Sequence, residues 1–314
     1  MSVAAMTDEK KESAVKKRNI SRAKELTPLE KEIKQRRQLQ LARKIGIYLI
    51  LVLGAVTMVA PLMWMLSISL KEPSAVFSYQ KVWWHDWVPV TFVWQNYVKA
   101  WHAVPFAQFY LNSIIVVVLT TAGQVATSAM AAYAFARLRF PGRDRIFFFY
   151  LGTMMIPGAV TMIPVFILLR WLGWIDTFKA MILPGIFTAY GTFMLRQFFL
   201  TLPKDLEDAA MIDGCSYFGI FWRILLPLSK PALATLTIFT FMGSWMNFMW
   251  PLIVMNSESK FPLPVGLAYF QTLHRTDWTL LMAGSMMMIL PIVIVFIFGQ
   301  RYFVEGIKLT GIKG

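Results

Sequence analysis

Charge is what this sequence has least of. Only 15% of its 314 residues are Asp, Glu, Lys or Arg, while 57% are hydrophobic; an ordinary soluble domain carries about 25% charged residues. That shortage excludes a mostly soluble chain. Acids are scarcer than bases, 17 against 31, and none of the 17 falls within the core of a long apolar stretch. Ion- and proton-coupled transporters place ionisable groups inside the membrane, where they carry the coupling chemistry. Their absence weakens a secondary-transporter or channel reading, which stays open as an alternative. The single cysteine, Cys215, excludes an internal disulfide. The three histidines, His85, His102 and His274, are far apart and lack an HExxH spacing. A phosphate-cradling loop is missing too: the nearest approach is GIKLTG at Gly306–Gly311, followed by Ile312 and without the required lysine. No catalytic residue, metal site or cofactor is expected in this chain, and ATP used to drive it would be bound elsewhere.

What the sequence has in abundance is long apolar runs. A bilayer span needs about 20 predominantly apolar residues in a row, and six segments qualify: Ile45–Leu70, Phe106–Ala136, Ile146–Leu169, Ala180–Phe199, Pro231–Met255 and Leu280–Tyr302. An all-α integral membrane protein with six transmembrane helices is expected. Thirteen Lys and Arg lie in residues 1–44, four in Arg137–Arg145, four in Arg196–Lys230 and three in Arg301–Gly314. The excess alternates from loop to loop, the positive-inside pattern, so both termini are expected in the cytoplasm. This distribution argues against a nucleic-acid partner despite the net charge of +14. Residues 1–44 read as a basic cytoplasmic tail and 45–314 as the membrane domain. The tail is too long and charged for a cleaved signal peptide. Within it, TPLE suits a helix start, with Thr27 as cap, Pro28 at the first position and Glu30 closing a capping box. The basic helix that follows would lead into the first span, solvated or resting on anionic headgroups of the lipid bilayer.

Proline and glycine recur inside the spans, at Pro157, Pro164, Pro184, Gly185, Gly191, Gly243, Gly284 and Pro291. Interior prolines free backbone carbonyls and kink helices, and in lipid such breaks persist beside other helices or a water-filled cavity. Polar and aromatic residues interleave in FTAYGTF (Phe187–Phe193) and MGSWMNFMW (Met242–Trp250). Rings that pack on C–H faces, beside amides and hydroxyls, suit a neutral polyhydroxylated solute. Tyr190, Trp245 and Asn247 are the candidates for its path, with interhelical packing as the equal alternative.

One interruption of the apolar pattern stands apart: LEDAAMIDGCSYFGIFWRILLP at Leu206–Pro227, within a loop spanning 203–230. Pro203 and the acids Asp205, Glu207 and Asp208 suit the start of a helix. Leu206, Ala209, Ala210 and Asp213 fall at i, i+3, i+4 and i+7, a slim face that another surface can approach closely. Gly214 supplies a left-handed turn. Phe218, Phe221, Trp222 and Leu225 then share the apolar face of a second short helix, stopped by Pro227.

The spacing of this stretch resembles the EAA loop of ABC-importer permeases: EAA, three residues, Gly, nine residues, Ile, one residue, Leu-Pro. Asp208, Ala209 and Ala210 occupy the EAA positions, Asp213 and Gly214 the Asp-Gly, Ile224 the isoleucine, and Leu226 and Pro227 the end. Asp208 stands where the family has glutamate, with Glu207 beside it. NYVKAWHAVPFAQFYLNSIIV (Asn96–Val116), AAYAFARLRFPGRD (Ala131–Asp144) and the ending GQRYFVEGIKLTGIKG are similar to carbohydrate permeases of the MalG type. The resemblance implies a MetI-like permease fold in a bacterial or archaeal inner membrane. It implies a second homologous permease, two ABC ATPase subunits carrying ATP and magnesium, and an extracytoplasmic binding protein that delivers a sugar or oligosaccharide. Glu207, Asp208, Ala209, Ala210, Asp213 and Gly214 would form the coupling helix docked on an ATPase. The tail Gly306–Gly314 would lie between the ATPases, and the loop Asn256–Asp277 would face the binding protein. A non-sugar solute within the same transporter type stays open as a further alternative.

Overall fold

The structure, a computed structural model, describes residues 28–77, 87–271 and 276–311, with the side chains of 28–31, 33 and 301–311 outside the description. Thr27, His85, His274 and Ile312–Gly314 therefore lie outside the described residues. The chain forms two units, Met1–Trp64 and Met65–Gly314. What is described of the first is one helix. It belongs to α1, Pro28–Ser69, which starts on the proline expected at a first helical position. An exposed i,i+4 ion pair, Glu32 with Arg36 at 3.2 Å, lies on its basic lead-in.

The second unit is built on helices throughout, and among the described residues the only β-pairing is an isolated bridge between Gln271 and Thr276. After α1 come α2 (Gln95–Ala103) and α3 (Phe106–Arg137). Then follow α4 (Arg143–Gly152), α5 (Gly158–Trp171), α6 (Phe178–Ile182) and α7 (Ala189–Thr201). The loop expected between spans four and five holds α8 (Asp205–Ile212) and α9 (Tyr217–Leu228). Last are α10 (Lys230–Trp245), α11 (Met249–Val254), α12 (Leu263–Leu267) and α13 (Trp278–Gly311).

Four stretches are long and apolar enough to cross a membrane unbroken: Lys34–Ser69, Phe106–Arg137, Phe178–Thr201 and Trp278–Gln300. Two more stretches reach that length and apolarity only as bent pairs. Arg143–Met155 meets Gly158–Trp171 at 100°, and Tyr217–Leu228 meets Lys230–Trp245 at 79°. The first bend falls at Pro157, which denies its N–H to the preceding turn. The second falls at Ser229, between Pro227 and Pro231. Pro227 also gives no N–H to the carbonyl of Arg223, and there, over Phe221–Leu225, the helix widens into a π-turn. The fifth expected span carries one more break, at Met246–Phe248, before α11 resumes. Pro164 and Pro291, by contrast, sit inside continuous helices.

Helix α3 is the hub of this unit, packing against α7 and α10 and also against α2, α6 and α12. Small residues let α7 come close: a Cβ on Gly191 would lie 2.5 Å from Ser128 Oγ of α3. Three apolar clusters follow along α3. Near its C-terminal end Tyr133 and Ala136 pack with Leu195, Phe199, Ile220, Phe221 and Leu225. Near its start Phe106 and Phe109 pack with Trp245, Leu263 and Phe270. Between them Val116 joins Leu169, Met181 and Val254. Long apolar side chains elsewhere on the spans, such as Ile163 at 69% and Phe298 at 75%, are exposed, as lipid- or partner-facing surfaces are.

Candidate functional site

The broken helices surround a cavity of about 740 Å³, within the roughly 300–1,000 Å³ range of small-molecule sites. One wall is a single face of α3: Ser113, Val116, Thr120 and Gln124. Thr161 and Val165 of α5 and the broken stretch at Pro184 and Gly185 form another. Tyr190 of α7 stands beside them, and Phe239, Thr240 and Ser244 of α10 close the far side with Asn247, Trp250 and Pro262. Among the described residues no ionisable side chain lines it, tyrosine apart. Two hydroxyls of its wall residues, Thr120 Oγ1 and Thr240 Oγ1, are buried without a hydrogen-bond partner among the described residues.

Of the three path candidates, the structure places Tyr190 and Asn247 on this wall and Trp245 elsewhere. Tyr190 is 43% exposed, and Asn247 Oδ1 makes one long contact, accepting from the Trp250 backbone N–H at 3.4 Å. Trp245 is 2% exposed. Its indole N–H donates to the Met288 carbonyl of α13 at 3.0 Å, and its ring packs against Tyr110 and Phe241. One residue along a helix turns about 100°, so Ser244 faces the cavity while Trp245 faces the core. Trp250, which periodicity did not single out, frames the cavity; its indole N–H donates to the Ala180 carbonyl at 2.9 Å.

At one end of the cavity the chain is fastened by Asp176, whose φ of 59° is a left-handed conformation that aspartate tolerates. Its carboxylate accepts from the backbone N–H groups of Asn256 and Ser257, both at 3.0 Å, and from Ser257 Oγ at 2.5 Å. Lys260 Nζ adds contacts of 3.0 Å to the carboxylate and 2.6 Å to the carbonyl. Burial alone would raise the Asp176 pKa, but the hydrogen bonds from Ser257, Asn256 and Lys260 hold it well below the ordinary range.

At the opposite end lies the 203–230 loop. Three acids in the first turn of α8, Asp205, Glu207 and Asp208, meet the positive pole of its dipole. The helix closes on Gly214 at φ +80°: Cys215 N–H bonds the Ala210 carbonyl at 2.9 Å, and Gly214 N–H bonds that of Met211 at 3.0 Å. These paired bonds and the packing of Cys215 beside Ala210 form a Schellman motif. Ser216 Oγ then caps α9 by accepting from Gly219 N–H at 3.2 Å.

Of the slim face expected on α8, Leu206, Ala209 and Asp213 are exposed and Ala210 is covered. Leu206, Asp208, Ala209, Ile212, Asp213 and Gly214 are exposed, Ile212 by 87%, but Glu207 and Ala210 are buried. The cause is Arg137 at the end of α3. Its Nε lies 2.6 Å from Glu207 Oε1, with both side chains at least nine-tenths covered, and its Nη2 donates to the Leu202 carbonyl at 2.8 Å. Burial raises the Glu207 pKa, and Arg137 opposes the rise only in part. On α9, Phe221 and Leu225 are buried as expected, while Phe218 and Trp222 stack on one another and are 69% and 62% exposed.

Known proteins share this anatomy. Residues 124–308 match the family described as binding-protein-dependent transport system inner membrane component. The chain is 46% identical over 202 residues to the arabinooligosaccharides transport system permease protein AraQ of Halalkalibacterium halodurans, across 64% of this chain and 71% of that one. It is 35% identical over 274 residues to the probable ABC transporter permease protein YurM of Bacillus subtilis, across 86% and 88%. Likeness to the sn-glycerol-3-phosphate transport system permease protein UgpE of Yersinia pestis is 34% over 228 residues, across 70% and 81%. A chain from a bacterial ABC transporter involved in the import of the acidic polysaccharide alginate superposes with a TM-score of 0.74 at 27% identity, covering 83% of this chain and 97% of that one. With a family match over residues 124–308 and relatives alike along most of both chains, this protein belongs to the binding-protein-dependent transport system inner membrane components, as one of their permeases.

Proposed function

We propose that the chain is one of two permease subunits of an ATP-driven importer of neutral sugars or oligosaccharides. The observation that carries the substrate class is the cavity wall, which offers hydroxyls, two carboxamides and aromatic rings but no charge. Hydroxyl-rich solutes exchange hydrogen bonds with such groups and lay their C–H faces on rings. An anionic solute would be left without a counter-charge in a low-dielectric site. Relatives named for arabinooligosaccharide transport support this reading. The alginate importer and the glycerol-3-phosphate permease handle anions by name, so this chain's uncharged wall is what argues for a neutral solute.

In this reading the second permease supplies the other half of the pathway, and an extracytoplasmic binding protein delivers the solute. The 203–230 loop and both termini are cytoplasmic. Two ATPase subunits hold ATP and magnesium and receive the exposed face of α8, namely Asp208, Ala209, Ile212, Asp213 and Gly214. Glu207 and Ala210 stay on its inner side. The Asp176 end faces outward, toward the binding protein.

Mild-detergent purification of the chain from its native membranes tests the assembly: an ABC ATPase and a second permease are expected to co-purify. Recovery of this chain alone, still competent for uptake, overturns the importer. Uptake into proteoliposomes by the assembled complex tests the substrate. Neutral oligosaccharides are expected to be carried, and preference for an anionic saccharide overturns the neutral class.

A further inference from the structure

Helix α8 is held to the protein by very little apolar packing. Of its side chains only Ala210 and Glu207 are buried; Leu206, Met211 and Ile212 are 45%, 43% and 87% exposed. A second cavity of about 490 Å³ lies beneath the helix, lined among others by Tyr133, Lys204, Asp208 and Tyr217. The Arg137–Glu207 pair adjoins this space. The same guanidinium reaches the Leu202 carbonyl, so one side chain joins α3, the end of α7 and α8.

Arg137 is the last residue of α3, and Gln124, Thr120, Val116 and Ser113 on that same helix line the transport cavity. Gln124 and Arg137 are 13 residues apart, roughly 20 Å at 1.5 Å per residue. Helix α3 contains no proline and has no break. Three other helices with residues on the cavity wall are separated from α8 by a bend or an interruption: α5 by its 100° bend, α10 by its 79° bend, α6 by the stretch at Leu183–Gly185. Tyr190 of α7 stands at that helix's own start, beside the same interruption. Two unbroken routes therefore lead from α8 to the cavity wall: the chain itself, through α7 to Tyr190 alone, and one ion pair into α3, which carries four wall residues.

We propose that Glu207 and Arg137 are positioning residues that transmit displacement of the coupling helix α8 into α3, and so move the Ser113–Gln124 wall of the cavity when the ATPases close. The proposal deepens the importer reading and rests on it. Neither residue touches solute or nucleotide. Their loss breaks the link between hydrolysis and transport rather than either step.

The test is solute carried per ATP hydrolysed, in proteoliposomes holding the complete complex with its binding protein. The wild type, Glu207→Gln and Glu207→Asp are compared. Glu207→Gln is expected to lower the ratio about tenfold or more, and Glu207→Asp to recover part of it. To separate a lever from a merely structural contact, Arg137→Cys and Glu207→Cys are combined with Cys215→Ser, and the thiols are bridged with a short bifunctional reagent. Bridging is expected to raise the ratio and reductive cleavage to lower it again. An unchanged ratio in Glu207→Gln, or a bridged variant no better than the unbridged one, overturns the positioning role. A wild-type complex without ATP-driven uptake overturns the importer reading itself, and the proposal with it.

Discussion

Two carboxylates fasten opposite ends of this permease, and they do so by different means. Asp176 sits near the surface, 23% exposed, and is satisfied by two backbone amides, a hydroxyl and an ammonium group. Glu207 is buried and meets one guanidinium. The first arrangement is redundant, since any single donor can go while the rest hold the Asn256–Lys260 loop. The second has no reserve, because losing either partner leaves the other uncompensated inside the protein. A redundant clasp suits an element that has to stay put, and a single contact suits one through which force is passed.

Breaking the buried pair is expected to have the largest effect. Arg137→Met leaves Glu207 unpaired and the Leu202 carbonyl without its donor, and removal of one member of a buried pair costs about 3–5 kcal/mol. Thermal unfolding of the purified protein in detergent measures it. Asp176→Ala comes next, at about 2 kcal/mol, because it removes the shared acceptor of an outlying loop. Its signature is local: hydrogen exchange at the Asn256 and Ser257 amides is expected to quicken roughly 30-fold while α8 is undisturbed. If Asp176→Ala costs more than Arg137→Met, the contrast between the two ends is inverted. Lys260→Met is the smallest substitution effect, expected within about 1 kcal/mol, since Lys260 is 37% exposed and three other donors remain. A loss equal to that of Asp176→Ala would show that the ammonium alone holds the clasp.

The same contrast explains what could be read from the sequence. The 203–230 loop was legible because its determinants are local: acids at a helix start and Gly214 where the backbone turns left-handed. The side on which α8 is buried was not, because Arg137 decides it from 70 positions away. Periodicity grouped Leu206, Ala209, Ala210 and Asp213 on one face, but did not show which edge of it, Ala210, would be covered. Pro157 marked its bend, whereas the break at Met246–Phe248 has no proline to announce it. For the same reason the sequence left Trp245 open between a solute path and helix packing: without the break there was no way to tell which face met α13. Six spans were legible throughout, since hydropathy survives bending.

Acidification separates the two ends by sign. Burial raises the Glu207 pKa above its ordinary value, with Arg137 and Lys204 opposing and Asp208 adding to the rise. The folded protein then holds the proton more tightly than the unfolded chain, so this group's contribution to stability grows as pH falls toward about 4.5. Protonation also discharges the carboxylate that faces Arg137, so the pair weakens as a link while the fold is not weakened. Asp176 behaves oppositely. Its lowered pKa gives stability that is complete above about 3.9 and is lost only as pH falls further, through the folded value. Between pH 7 and about 4.5 the stability difference between wild type and Glu207→Gln is expected to shift in favour of wild type, while that between wild type and Asp176→Asn stays flat. Thermal unfolding of the three proteins across this range makes the comparison. Parallel pH profiles for both variants would mean that the two carboxylates sit in equivalent surroundings, and the distinction between a surface clasp and a buried link would fail.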